Sequence, residues 1–375
     1  MQFKNILLLL AISPALYGQK KMPVIRATSA TVSIRDGGFL DENAWRLSPK
    51  ARPDVYIADR TRKTKWVTFY TDLDSIRIKV KPGTTVDFVI LLNGRDSCFT
   101  RVKSAIPPAA DIGYENTKTD SIPFTLTSYN AISVVATIND TASYYLHFDL
   151  GSFGFHFMRG VLARMSGTPK AAKLQMGTMV WDHPSLLPTE LTAHEMDGRF
   201  GWDLFEGKTV EINYDKNLLI IRPGLPPLKG YRRSKIIFIR SLLCMRAGFE
   251  IAGKKMAGDF LFDTGSEQAV IVDSVWAKRQ GFAEGLTVIG TKLLHDPRGA
   301  TYETRTVLAP LFRFDGARLT TVPTMILGSK NPVGFGINYL GNDLLKRFNL
   351  ILDFRKDAVY AKPNQLFHLK FRGEI

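Results

Sequence analysis

The sequence predicts a mainly β protein in which a small β domain precedes two larger β lobes that are related to each other. Two observations lead to this prediction: short strand-like runs alternate with turn residues, and the C-terminal two-thirds of the chain contains an internal repeat. With 375 residues, of which 45% are hydrophobic, the chain can bury a substantial core, and its length favours two or three domains over one.

Residues 1–18 are typical of a secretory signal peptide. Lys4 precedes the apolar run 6–12, Pro14 follows the run as a break, and a small residue, Gly18, ends the segment. The run is far shorter than the roughly 20 residues that a membrane-spanning helix needs. We therefore expect an exported protein, periplasmic or secreted, with no transmembrane segment.

Residues 19–104 are predicted to form the small β domain. Short runs rich in β-branched and aromatic residues fill this region, and Asn93-Gly94 joins two of them. This pair is a hairpin signature, because both central positions of the turn favour positive φ. Residues 105–121, which include Pro107-Pro108, are predicted to be a linker.

The rest of the chain contains two copies of one pattern. Asp149-Leu150-Gly151-Ser152 and Asp263-Thr264-Gly265-Ser266 each follow an apolar strand-like run. Further on, Gly201-Trp202-Asp203-Leu204 is matched by Gly341-Asn342-Asp343-Leu344. The copies are 114 residues apart at the first landmark and 140 at the second, so the second copy carries 26 additional residues.

This duplication predicts a first lobe over residues 122–229 and a second lobe over residues 230–375. We expect a pseudo-twofold axis to relate the lobes, so that each offers one acidic loop to a shared cleft. Because both lobes belong to one chain, we expect a monomer.

A pair of acidic loops predicts a specific chemistry. Two carboxylates about 3 Å apart hold one proton between them, because two like charges that close cannot both ionise. One carboxylate then acts as a general base toward water, and the protonated one polarises a substrate carbonyl. The predicted catalytic residues are therefore Asp263 and Asp149.

Phe262-Asp263-Thr264-Gly265-Ser266 resembles the active-site loop of pepsin-like and retroviral-type (retropepsin) aspartic peptidases. Tyr339-Leu340-Gly341 resembles the apolar-apolar-Gly stretch that packs behind that loop, and the following Asn342-Asp343-Leu344-Leu345 is similar to bacterial members of the retropepsin-like family. The resemblance covers about residues 122–364 and leaves the small β domain outside.

The resemblance implies two aspartic-peptidase-like β lobes and an aspartic-type endopeptidase that acts on peptide or protein substrates. It implies neither a metal ion nor an organic cofactor. The active-site loop residues that it implies around the two aspartates are Thr264, Gly265, Ser266, Leu150, Gly151 and Ser152.

The first copy departs from the family pattern at two positions. Leu150 stands where a Thr or Ser hydroxyl would hydrogen-bond across the dyad, and Arg199 replaces an apolar residue. Arg199 either points to solvent or pairs with a carboxylate and disturbs the shared proton. A catalytically impaired module that binds peptides or cell-surface polymers therefore remains the alternative function.

Two stretches are candidates for a flap that closes over substrate. The first is Met176 to Trp181, and the second is Thr287 to Arg305, which contains most of the additional residues of the second copy. Both can equally be surface connections.

Other residue patterns favour no competing chemistry. The six histidines lack metal-ligand spacing, and we expect His147 and His156, which flank the first acidic loop, to pack at strand borders. The formal net charge is +15, but the densest basic run, residues 60–65, has no stacking aromatic motif and favours a solvated loop over a nucleic-acid site. Cys98 and Cys244 could form one disulfide or serve as two small buried hydrophobic residues.

Overall fold

The computed structural model describes the chain in five stretches: residues 22–108, 118–165, 173–295, 301–328 and 331–372. The predicted signal peptide lies outside the described residues. The chain divides into two compact units: the first comprises residues up to 58 together with 62–105, and the second comprises 59–61 together with 106 onwards. Among the described residues, no helix combines the length and the apolar character needed to cross a membrane.

From residue 22 onwards, where its description begins, the first unit is a β sandwich of eight strands. They are β1 (Val24–Ala27), β2 (Thr31–Asp36), β3 (Phe39–Arg46), β4 (Asp54–Ala58), β5 (Lys65–Tyr70), β6 (Ser75–Val80), β7 (Thr85–Leu92) and β8 (Asp96–Ser104). One sheet has the order β1-β7-β8-β4 and the other β3-β2-β5-β6, and their inner faces share one hydrophobic core. The hairpin predicted at Asn93-Gly94 joins β7 to β8, and both residues have positive φ, 53° and 67°.

The described residues of the second unit form twenty-two strands and three short helices, besides a 3-10 helix at Trp202–Phe205. The strands up to the middle of the unit are β9 (Asp120–Pro123), β10 (Thr125–Leu126), β11 (Ile132–Ile138), β12 (Ala142–Asp149), β13 (Phe155–Met158), β14 (Lys173–Met176), β15 (Met179–Asp182), β16 (Leu186–Thr189), β17 (Gly198–Gly201), β18 (Thr209–Asn213) and β19 (Leu218–Arg222). The remaining strands are β20 (Arg232–Lys235), β21 (Ile237–Ile239), β22 (Leu242–Ile251), β23 (Lys254–Asp263), β24 (Val270–Val272), β25 (Val288–His295), β26 (Thr301–Phe314), β27 (Ala317–Leu327), β28 (Asn338–Gly341), β29 (Phe348–Asp353) and β30 (Ala358–Pro363). The helices are α1 (Arg159–Arg164), α2 (Ser274–Gln280) and α3 (Asn342–Leu345).

The second unit consists of two lobes of matching topology. The first lobe contains the strand order β11-β12-β17-β13-β16, and the second lobe contains β22-β23-β28-β24-β27. The pairing directions also agree, because β12–β17 and β23–β28 are parallel whereas β13–β17 and β24–β28 are antiparallel. The additional residues of the second copy fall in the long strands β25 to β27. The predicted fold class, mainly β with two related lobes, is confirmed.

A six-stranded sheet joins the two lobes. Its order is β20-β30-β29-β18-β19-β9, in which each strand of one half has its counterpart in the other half. The two halves meet where β18 and β29 pair antiparallel, with Val210 opposite Leu352 and Ile212 opposite Leu350. This order is what a pseudo-twofold axis between β18 and β29 produces. One hydrophobic core extends from the first lobe across this sheet into the second.

Local sequence signals account for the ends of individual elements. Helix α2 begins after Asp273, whose carboxylate accepts a hydrogen bond from the N–H of Trp276, and ends at Gly281, which has φ of +62°. These are the usual N-cap and C-cap residues of a helix.

Strand β9 begins at Asp120, inside the range predicted to be a linker.

The basic run at residues 60–65 departs from the predicted solvated loop at its first residue, whereas Arg62 and Lys63 lie in an exposed loop as expected. Arg60 belongs to the second unit and is only 3% exposed. Its guanidinium lies 2.5 Å from a carboxylate oxygen of Glu206 and 2.8 Å from one of Asp357, and it stacks 3.9 Å above the ring of Phe238. Two buried carboxylates and an aromatic face explain why this cation is inside the protein.

Both cysteines are free and buried. Cys98 lies in the core of the first unit and Cys244 in the second. Of the two alternatives drawn from the sequence, the structure therefore has two small buried hydrophobic residues.

Candidate functional site

Each acidic loop leaves the end of one strand, and a glycine of a neighbouring strand lies directly opposite its aspartate. In the parallel pair β12–β17 Asp149 is opposite Gly201, and in the pair β23–β28 Asp263 is opposite Gly341. The next turn is the same in both loops, because the N–H of Ser152 donates to the carbonyl of Asp149 and that of Ser266 to the carbonyl of Asp263, both at 3.1 Å. The repeat read from the sequence thus corresponds to the same register in both lobes.

The glycines behind the loops are required by close backbone contacts. A β-carbon on Gly201 would lie 2.2 Å from the carbonyl oxygen of Ser152, and one on Gly341 would lie 2.0 Å from that of Gln268. No side chain tolerates such distances, so the apolar-apolar-Gly stretch lets each strand pass directly behind its loop. Stacked rings of Phe148 and Phe200, 5.0 Å apart, fill the space beside this contact in the first lobe.

The two carboxylates converge on one point beside Gly265. A β-carbon placed there would lie 3.0 Å from Oδ1 of Asp149 and 3.0 Å from Oδ1 of Asp263. The two oxygens are therefore no more than about 6 Å apart, a range in which two like charges interact strongly. The N–H of Gly151 also donates to Oδ1 of Asp149 at 2.8 Å, which orients that carboxylate. The structure thus brings together the two aspartates that the sequence predicted as a pair.

Thr264 ties the second loop to the first. Its hydroxyl donates to the carbonyl oxygen of Phe148 at 2.8 Å and accepts from the N–H of Leu150 at 2.9 Å. The hydroxyl is buried, so both hydrogen bonds form away from water. Leu150 has no group with which to return these bonds, and its side chain lies fully buried in the hydrophobic core.

His147, for which we expected only packing at a strand border, makes a second connection between the loops. Its Nε2 lies 2.8 Å from the carbonyl oxygen of Thr264, and the side chain is buried. Because a carbonyl oxygen only accepts, Nε2 carries the proton. Desolvation lowers the pKa of His147, and the nearby charge of Arg199 lowers it further, so the ring is held neutral despite an opposing effect of Asp149.

Arg199 points into the site rather than to solvent. Its Nε donates to Oγ of Ser152 at 3.0 Å and its Nη1 donates to the carbonyl of Leu191 at 2.8 Å. The same Nε lies 3.9 Å from Oδ2 of Asp149, at the outer limit of an ion pair. Of the two orientations that the sequence left open, the structure has the one in which a cation stands beside the first carboxylate.

The second carboxylate has a strongly shifted protonation equilibrium. Desolvation, followed by repulsion from Asp149, raises the pKa of Asp263 to about 7. Backbone N–H groups of Gly265 and Ser266 and the charge of Arg199 oppose this shift. Below neutral pH, Asp263 is therefore protonated, which is what a pair of carboxylates sharing one proton requires.

The two aspartates lie in a cleft of about 900 Å³ that both lobes line. The first lobe contributes polar side chains, among them His147, His194 and Arg199, together with apolar ones such as Met158 and Met196. The second lobe contributes the apolar group Leu261, Ile271, Leu327, Val333 and Tyr339, besides the polar Glu267 and Gln268. Apolar lining with a few polar groups is typical of a ligand-binding cleft.

Of the two stretches considered as flaps, one does not line the cleft. The hairpin of β14 and β15 packs against β9, where Thr178 donates to Oδ1 of Asp120 at 2.9 Å and a β-carbon on Gly177 would lie 2.2 Å from the carbonyl of Ser121. The hairpin of β25 and β26 does reach the cleft, because Leu293 lines it while remaining 59% exposed. Residues 296–300, between those two strands, lie outside the described residues.

Sequence reasoning also missed the loop 191–196 of the first lobe, which lines the cleft. Two hydrogen bonds hold this loop to β17: one joins Arg199 to the carbonyl of Leu191, and the other joins the hydroxyl of Thr192 to the carbonyl of Gly198 at 3.0 Å. No motif marks the loop in the sequence, since its role depends on where β17 carries it.

No protein-family model matches the chain, and no curated protein sequence matches it. Among solved structures, the chain is similar to the aspartic proteinase from Irpex lacteus, with a TM-score of 0.45 and 11% identity. The similarity covers 68% of this chain and 100% of that one. Similarity at this level assigns no function, so the function is inferred from the geometry of the site.

Proposed function

We propose that the chain is an exported, bacterial retropepsin-like endopeptidase that hydrolyses peptide bonds with Asp149, Asp263 and an activated water. One observation carries this inference: the two copies of the motif bring two carboxylates to a single point in a cleft that can hold an extended peptide. The mechanism needs no metal ion or organic cofactor.

The surroundings of the two carboxylates assign them different roles. Asp149, which lies beside Arg199 and accepts a hydrogen bond from the N–H of Gly151, is the general base. Asp263, whose pKa is raised to about 7, carries the proton and donates it toward the carbonyl oxygen of the substrate. The pair thus enters the reaction with one negative charge and one proton.

The reaction then follows from these roles. Asp149 removes a proton from water as the water oxygen attacks the scissile carbonyl carbon, while Asp263 donates a hydrogen bond and then its proton to the carbonyl oxygen. Collapse of the tetrahedral intermediate breaks the C–N bond, and the leaving amine takes the proton held by Asp149. Asp263 recovers its proton from the hydroxyl of the intermediate, so the pair returns to its starting state.

We expect the apolar residues of the second lobe to orient the substrate in the cleft. An apolar side chain of the peptide fits the wall formed by Leu261, Ile271 and Val333, because its burial there removes apolar surface from water. Leu293, on the hairpin of β25 and β26, would pack over the bound peptide and reduce access of water.

The test is cleavage of an unfolded protein between pH 4 and pH 8, with Asp263→Asn and Asp149→Asn as inactive variants. Asp259→Asn is the matched control, because Asp259 lies on the same strand as Asp263 but forms a surface pair with Arg246 at 3.1 Å. We expect both dyad variants to lose at least about a thousandfold in kcat, which corresponds to roughly 4 kcal/mol, and the control to retain activity. Activity that survives Asp263→Asn would sink the proposal.

Leu150 and Arg199 favour a second candidate function, binding of an extended peptide without cleavage. Strand addition in a cleft between two β lobes suffices for such binding. Binding of an unfolded protein that is unaffected by Asp263→Asn, with no cleavage at any pH, would identify this function.

A further inference from the structure

We propose that His147 is a positioning residue that takes over part of the loop-locking role of the hydroxyl missing at position 150. Its effect on catalysis rests on the proposed function. Its effect on the two loops does not, and can be measured in a protein that cleaves nothing.

The lock between the loops is complete on one side only. Thr264 bonds both the N–H of residue 150 and the carbonyl of Phe148, so the second loop holds the first. By the pseudo-twofold relation, a hydroxyl at position 150 would hold the second loop in return. Leu150 instead contributes an alkyl side chain that is 0% exposed in the core.

His147 supplies a bond in the missing direction. It lies on β12 of the first lobe, and its Nε2 donates to the carbonyl of Thr264 in the second loop at 2.8 Å. This bond does not reach the atoms that a hydroxyl at position 150 would reach. It does, however, connect the same two loops from the first lobe to the second, between buried partners that exclude water.

Two differences between the copies, at positions 147 and 150, occur together in the first copy. The position of His147 corresponds to Leu261 in the second lobe, where the hydroxyl of the following loop is present. The lobe that lacks the hydroxyl has the histidine, and the lobe that has the hydroxyl has a leucine. A buried imidazole requires a partner, so its placement against the opposite loop is a specific interaction rather than packing alone.

The hydrogen bond of His147 helps to hold the carboxylates of Asp149 and Asp263 in position. The two carboxylates must be held to within a fraction of an ångström, and a 1 Å displacement can cost about a hundredfold in rate. His147 lies two residues before Asp149 and bonds the residue directly after Asp263. It therefore links the two loops at the base of the dyad without taking part in the chemistry.

The experiment follows the backbone N–H of residue 150 by native-state hydrogen exchange in the full chain. This amide bonds Thr264 across the loops, so its protection reports the lock directly. The variants are His147→Leu, which copies the second lobe, and His147→Gln, whose amide N–H₂ can still donate. His156→Leu is the matched control, because His156 lies on β13, which β17 separates from the strand of His147, and pairs there with Arg199 rather than with the second loop.

We expect His147→Leu to speed exchange at residue 150 by about tenfold, the effect of losing roughly one buried hydrogen bond. His147→Gln should lose less protection, and His156→Leu should leave it unchanged. Adding Leu150→Thr to His147→Leu should restore protection, because the new hydroxyl supplies the missing half of the lock. Equal effects of His147→Leu and His156→Leu, or no restoration by Leu150→Thr, would overturn the proposal.

Enzyme kinetics provide the second readout. With a cleaved peptide, His147→Leu should lower kcat by about ten- to a hundredfold and leave KM nearly unchanged, with recovery in the double variant. If the chain cleaves no peptide but the exchange results hold, the proposed function fails while the role of His147 stands.

Discussion

Replacing Asp263 with Asn should stabilise the protein at neutral pH. In the folded state, desolvation and the charge of Asp149 raise the pKa of Asp263 from 3.8 to about 7. The folded state therefore holds a proton that the unfolded state releases, so this group costs stability progressively as pH rises from about 4 to about 7. Asn has nearly the shape of the protonated acid and never ionises.

The size of the effect follows from the same shift. At about 1.4 kcal/mol for each pH unit between the folded and unfolded pKa, the upper limit is about 4 kcal/mol, reached above pH 7. Asp149→Asn should stabilise less at pH 8, because desolvation rather than repulsion is the first cause of the raised pKa of Asp263.

The measurement is the free energy of unfolding by urea between pH 3.5 and pH 8, for wild type and Asp263→Asn in parallel. Other shifted groups also contribute: His147, with a lowered pKa, costs stability below its unfolded value near 6.5, and Asp203, with a raised pKa, costs stability as pH rises. The difference between variant and wild type cancels both. A difference that stays flat across this pH range would refute the assignment of the proton to Asp263.

Three further changes test other parts of the site and its support. Gly265→Ala places a methyl group 3.0 Å from both carboxylates, so activity should fall at least about a hundredfold while stability falls by only about 1–3 kcal/mol; unchanged kcat would contradict this. Arg199→Gln removes a charge that lowers the pKa of Asp263, so the alkaline limb of the pH–rate profile should move to higher pH, and a downward shift would be the contrary result. Arg60→Met leaves the buried carboxylates of Glu206 and Asp357 without this cation, and urea unfolding should show a loss of about 3–5 kcal/mol. The matched control is Arg101→Met, which breaks the more exposed pair of Arg101 with Asp87 in the first unit and should change the free energy of unfolding far less; equal losses would count against the role of burial.

Much of the architecture was predictable because it depends on local patterns that the duplication repeats. The Asp-x-Gly-Ser loops and the later Gly-x-Asp-Leu segments fixed the alignment of the two copies, and the structure places Asp149 and Asp263 in the same register against their glycines. The hairpin at Asn93-Gly94 was equally predictable, because two adjacent positions of positive φ require such residues.

Interactions between distant segments could not be predicted in this way. His147 bonds a residue 117 positions away, and Arg60 bonds one 146 positions away. Nothing in the sequence near Arg60 indicates its partner. For His147 a signal existed, because the two copies differ at two nearby positions: the first copy has His147 where the second has Leu261, and Leu150 where the second has Thr264. For Arg60, a basic run on its own predicts an exposed side chain. Its burial depends on the carboxylates of Glu206 and Asp357, which are distant in sequence.

The six-stranded sheet has a consequence for how the molecule could be divided. One half of this sheet, β9, β18 and β19, ends at Arg222 in the chain, and the other half, β20, β29 and β30, begins at Arg232. The two halves meet where β18 pairs with β29. A chain severed between Arg222 and Arg232 would yield two fragments, each with the exposed edge of a half-sheet and only one of the two dyad aspartates, Asp149 or Asp263. Because the two edges are complementary in register and apolar in character, the fragments should reassociate, and the dyad would then form across a boundary between two polypeptides, as the subunits of a two-chain enzyme do.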